Sequence, residues 1–138
     1  MKELDRVETY LNYLMEMFHL GQVKLDVTEL RSDAREVAIT QYIYNYESVT
    51  VKINLKRWEP LDDGTKVEVL AHELFHILQR DQFFVLEVLI GQKMLGKKDS
   101  KIANLVFKNA NEKLADRFAS GLAPSLKKWK TVTKEKTK

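Results

Sequence analysis

His72, Glu73 and His76, within "AHELFHILQ" (Ala71–Gln79), are the residues of this chain whose types and spacing could do chemistry. Histidines four apart on an α-helix are displaced by only about 40° around its axis, so the two imidazoles project from one side, a turn apart, and can grip one ion. Glu73, rotated about 100° from His72, points beside such an ion, where a carboxylate can act as base on a water held there. Two imidazoles are too few for a catalytic zinc, which takes three protein ligands and leaves a fourth position to water.

The third ligand follows by elimination. There are no cysteines, so thiolate ligands and disulfides are both excluded. The remaining histidine, His19, falls at the end of the first predicted helix and reads as a helix-terminal cation favoured by the dipole rather than a proton donor. The metzincin extension requires glycine at 79 and histidine at 82, where the chain has Gln79 and Gln82. A carboxylate on a later helix is left, and "NEKLADRFASGLAP" (Asn111–Pro124) supplies it. Glu112 and Asp116 are again four apart on one helical face, so Glu112 can ligate while Asp116 accepts a hydrogen bond from a ligand imidazole. Ala115, small and adjacent, would let this helix lie close to the motif helix.

Together "AHELFH" and "NEKLADRFASGLAP" resemble the gluzincin peptidases, and most closely the minimal gluzincins of ImmA/IrrE type. The resemblance is specific over Val69 to Gln79 and Asn111 to Pro124, and architectural elsewhere. It implies one Zn2+ per chain held by His72, His76 and Glu112, Glu73 as general base, and Asp116 as the carboxylate that orients a ligand imidazole. It also implies a peptidase whose substrate is a protein or peptide, typically a regulator such as a repressor. Two departures stand out: Phe75 where that group usually has glycine, and the insertion "RDQFFVLEVLIGQKMLGKK" between the motifs.

The elements that must position these residues are legible in outline. At 138 residues and 44% hydrophobic, the chain suits one compact domain. Leu4, Val7, Leu11, Leu14 and Phe18 predict an amphipathic helix ending near Gly21. Val23, Leu25 and Val27, then "EVAITQYIYNYE" (Glu36–Glu47), then Val49, Val51, Ile53 and Leu55 predict three strands, with "YESV" as a tight hairpin. Tyr42, Tyr44 and Tyr46 fall on one strand face and are expected to cover sheet surface, and Met15 and Met17 belong to core or helix surface. "WEPLDDG" breaks the chain and offers Asp62 or Asp63 as N-cap of the motif helix. A helical pattern resumes from Phe84 to Met94, halts at "LGKK", and restarts near Asp99 or Ser100 in a last helix closed by Pro124. The expected fold is α+β and zincin-like: a leading helix, a small, mainly antiparallel three-stranded sheet, the HExxH helix and a C-terminal glutamate helix. Because Val49–Leu55 runs into the motif helix, it is expected to border the cleft and offer an open edge to an extended substrate.

Charge divides the chain into an expected domain, 1–124, and a lysine-rich tail, 125–138. Six of the 23 basic residues but one of the 20 acidic residues lie in that tail, which reads as a solvated, partly frayed terminus holding no site residue. No aromatic RNA-binding signature or phosphate loop appears, so nucleic acid is not an expected partner; a regulatory protein partner is. The charged N-terminus lacks an apolar signal region and no stretch is long enough to span a membrane, which predicts a cytoplasmic location. The alternative function is a metal-stabilised regulatory module without proteolytic activity of its own. Loss of the base would mark it, and Glu73 is present.

Overall fold

A computed structural model describes residues 2–43, 47–80 and 97–134, apart from the side chains at 43, 99, 100, 103 and 107. Helix α1 (Glu3–Met17) buries Val7, Tyr10, Leu11, Leu14 and Met15 on one stripe. It ends earlier than Gly21. His19 takes the left-handed conformation (φ 58°) that usually falls to glycine, its N–H donates to Glu16 O at 3.1 Å, and Leu20 N–H donates to Met15 O at 2.9 Å. This pair of bonds closes the last turn, so His19 serves the helix end through its backbone.

Strands β1 (Lys24–Glu29), β2 (Ala38–Ile43) and β3 (Ser48–Ile53) form one sheet in the order β1-β3-β2. β2 pairs antiparallel with β3, whereas β1 pairs parallel with it from Lys24↔Ser48 to Glu29↔Ile53. The sheet is therefore mixed, and the expectation of a mainly antiparallel one is corrected. The cause lies in the stretch between β1 and β2. Buried Asn54 donates from Nδ2 to Ser32 O (3.3 Å) and Ala34 O (3.1 Å), and Arg57 Nε donates to Ala34 O at 2.8 Å. These bonds hold residues 30–37 as a crossover, leaving β1 and β2 on opposite flanks of β3. β3 is consequently central, and the expectation that it offers an open edge is also corrected. The expected "YESV" turn includes Tyr46, and Tyr44 belongs to the expected tyrosine face; both lie outside the described residues, as does the helical pattern at 84–94.

Val49, Val51 and Ile53 point into the core, alternating with partly exposed Ser48, Thr50 and Lys52. After the short α2 (Leu55–Trp58), Asp62 caps α3 (Asp63–Leu78) by accepting from Thr65 N–H at 2.7 Å. α3 buries Val67, Leu70, Ala71, Leu74 and Ile77 against this layer. Helix α4 (Lys97–Leu122) packs on α3 through Ala115 and Ala119, both buried, where small side chains permit close approach. Phe75, the unusual bulky residue, meets Phe118 of α4 with ring centres 5.3 Å apart.

A 3-10 turn (Ala123–Ser125) contains Pro124 and precedes a short α5 (Trp129–Thr133). Trp129 is only 3% exposed and packs against Tyr10 and Trp58, at 5.4 and 5.6 Å between ring centres. Tyr10 donates its hydroxyl proton to Lys127 O. The expectation of a solvated tail does not describe Trp129, which anchors the segment on the core, whereas Lys127, Lys128, Lys130 and Lys134 are exposed. Among the described residues no helix is long and apolar enough to cross a membrane.

Candidate metal centre

α3 projects His72 and His76 toward α4, with Nε2 atoms 3.1 Å apart. α4 answers with Glu112: Oε2 lies 3.2 Å from His72 Nε2 and Oε1 lies 3.0 Å from His76 Nε2. Each histidine faces a different oxygen of Glu112, and with one donor atom taken from each residue the three lie within 4.8 Å of one another, near enough to gather around one small ion. One turn along α4, Asp116 Oδ1 is 2.9 Å from His72 Nδ1. A carboxylate only accepts, so neutral His72 carries its proton on Nδ1 and turns the Nε2 lone pair toward Glu112. That lone pair and the Glu112 oxygen repel unless a proton or a metal cation lies between them. Burial holds the His76 pKa below the usual imidazole value, against the pull of Glu112, and so favours the neutral, ligating form. His19 is not part of this cluster.

Glu73 is 4% exposed. Burial pushes its pKa up to about 7, while a hydrogen bond from Thr40 and the proximity of His72 oppose the shift. A carboxylate that titrates near neutrality can both take and return a proton.

Thr40 and Tyr42 are functional neighbours that sequence reasoning missed. Cross-strand partners share a sheet face, and Thr40 pairs with Val51 while Tyr42 pairs with Val49, so both turn toward the helices. The Thr40 hydroxyl donates to Glu73 Oε2, and the Tyr42 hydroxyl donates to His76 O at 2.7 Å. β2 thus clamps Glu73 and His76 of α3. The available signal was a threonine within the alternating run Ala38, Thr40, Tyr42, but only the pairing shows which face is inward.

The cluster lies in a cleft. A hollow of about 590 Å3 runs along β2 from Glu36 to Tyr42 and reaches His72, Glu73, His76 and Glu112. A second, of about 420 Å3, continues past Asp116 toward Glu68 and Val69. Phe75 lines neither.

The model of a protein family described as "Putative phage metallopeptidase" matches residues 20–114, more than half of the chain. The chain belongs to this family. The matched stretch includes His72, Glu73, His76 and Glu112, and stops two residues before Asp116. Membership in a metallopeptidase family and the His72–His76–Glu112 cluster together point to a metal-dependent peptidase. No curated protein matches the chain.

Proposed function

We propose that the chain is a zinc-dependent peptidase of gluzincin type, similar to the ImmA/IrrE group, and that it hydrolyses peptide bonds in a protein or peptide substrate such as a regulatory protein. The observation that carries this reading is the meeting of His72 Nε2, His76 Nε2 and the Glu112 carboxylate beside a buried Glu73. Two imidazoles and one carboxylate gathered on one side of two packed helices are a donor set that suits zinc. When bound, a zinc ion would supply Lewis-acid polarisation of a carbonyl and acidify water.

The chain's own residues do the rest. Asp116 holds His72 in the tautomer whose Nε2 lone pair points inward. Glu73 takes a proton from the attacking water and returns it to the leaving amine, a two-way transfer favoured by the burial that raises its pKa. Thr40 fixes one oxygen of that carboxylate and leaves the other for the proton. β2 supports an extended substrate: Asn54 N–H donates to Val37 O at 2.8 Å, so by alternation the N–H and C=O groups of Ala38, Thr40 and Tyr42 face away from β3. Among the described residues no strand pairs with that edge.

Elemental analysis of zinc-reconstituted protein should find about one zinc per chain, and alanine at His72, His76 or Glu112 should weaken binding by orders of magnitude. Glu73→Gln should keep the metal and lose hydrolysis of a peptide library. Wild-type protein that holds no metal would sink the reading. Equal hydrolysis by Glu73→Gln would remove Glu73 as base.

A further inference from the structure

Two hollows meet at His72 and Glu73, and they differ in charge. The one along β2 carries both signs, its lining including Lys108 as well as Glu36 and Glu112. The other has apolar walls of Val37, Val69 and Ala119 and a rim of Glu68 and Asp116, and among the described residues no lysine or arginine lines it. Asp116 is engaged with His72. Glu68 is held in place by a hydrogen bond from Ser120 Oγ to its Oε1, at 2.8 Å, and none of the ion pairs among the described residues involves it. That hydroxyl fixes the carboxylate at the border with a neighbouring hollow, which Lys128 and Lys130 also line without forming an ion pair with Glu68.

This combination selects one kind of side chain. An acidic group entering the hollow meets the rim carboxylates of Glu68 and Asp116 with Glu73 behind them, and a short apolar group leaves the rim unpaired. A lysine or arginine lays its methylenes on the apolar wall and brings its cationic head to Glu68. We propose that this cavity receives a lysine or arginine of the substrate next to the scissile bond, with Glu68 as the specificity-determining residue. The proposal rests on the peptidase reading above and adds the substrate class to it.

Two measurements separate the proposal from that reading. Zinc-reconstituted protein incubated with a randomised peptide library should enrich lysine and arginine about five- to tenfold at one position flanking the cleaved bond, as read by mass spectrometry. Glu68→Gln should abolish the enrichment, and Glu68→Lys should shift it toward aspartate and glutamate, with metal content unchanged in both. Independently of turnover, calorimetry should show lysine hydroxamate binding the zinc-loaded protein about fivefold tighter than norleucine hydroxamate, with the difference lost in Glu68→Gln. Library cleavage without basic enrichment overturns the proposal and leaves the peptidase reading standing. No cleavage, with the hydroxamate preference present, overturns the peptidase reading and keeps the cavity's selectivity. Hydroxamates that bind equally, or not at all, overturn the proposal.

Discussion

Asp116 and Glu112 bracket a single imidazole: Asp116 Oδ1 lies 2.9 Å from Nδ1 of His72, and Glu112 Oε2 lies 3.2 Å from its Nε2. One turn of α4 therefore addresses both nitrogens of one ring, setting the tautomer at one end and offering a donor at the other.

Asp116→Asn should weaken metal affinity or turnover roughly 10- to 100-fold, because an amide accepts the Nδ1 proton less strongly and can present its NH2 group instead. The fold should survive, as Asn has the same shape and Asp116 is exposed. Competition with a chromophoric chelator measures the affinity. Unchanged affinity and rate would reduce Asp116 to a surface charge.

Glu73 works as a base only when ionised, and burial raises its pKa to about 7. A bound cation beside Glu73 pulls that pKa below its metal-free value, so the rate should fall about tenfold per pH unit only below the lowered value and level off above it, with metal content checked at each pH. The same shift affects stability. The folded metal-free protein favours the protonated carboxyl, so this contribution is complete below about pH 4.5 and is lost as pH rises to about 7. Glu73→Gln, which stays neutral, should therefore melt higher than metal-free wild type at pH 8, and the gap should close near pH 4. Thr40→Val should lower turnover while keeping metal content, and Thr40→Ser should restore it.

Trp129→Ala should destabilise the protein by about 3–5 kcal/mol, the cost of deleting a buried indole that touches Tyr10 and Trp58. Thermal melting should fall by roughly 10–20 °C. Truncation after Ser125 should do at least as much. A truncated protein with wild-type melting would show that the segment only rests on the core.

Proline at Ala38 removes an N–H that faces the open side of β2, whereas proline at Ile39 removes one that faces β3. Ala38→Pro should give a folded, metal-loaded protein with sharply reduced peptide turnover, and Ile39→Pro should damage the sheet. Wild-type turnover by a folded Ala38→Pro variant would place the substrate elsewhere. Proline at Val51 or Lys52 should damage the sheet in either case, since β3 is paired on both sides.

The local chemistry was legible in the residues. The spacing of His72 and His76, the neighbouring Glu73, and the matching interval from Glu112 to Asp116 all follow from helix periodicity, which depends on nothing outside the helix. The α1 stripe, the three strands and the Asp62 cap were legible for the same reason. Strand order was not, because period-two alternation says which side chains share a face but not which neighbour a strand takes; that choice rests on long-range bonds from Asn54 and Arg57 to the crossover. It moved the open edge from β3 to β2 and brought Thr40 onto Glu73. The role of Trp129 was hidden in a similar way. A lysine-rich segment looks solvated by composition, and only the gap beside Tyr10 and Trp58 makes burying its one indole worth ordering the chain around it.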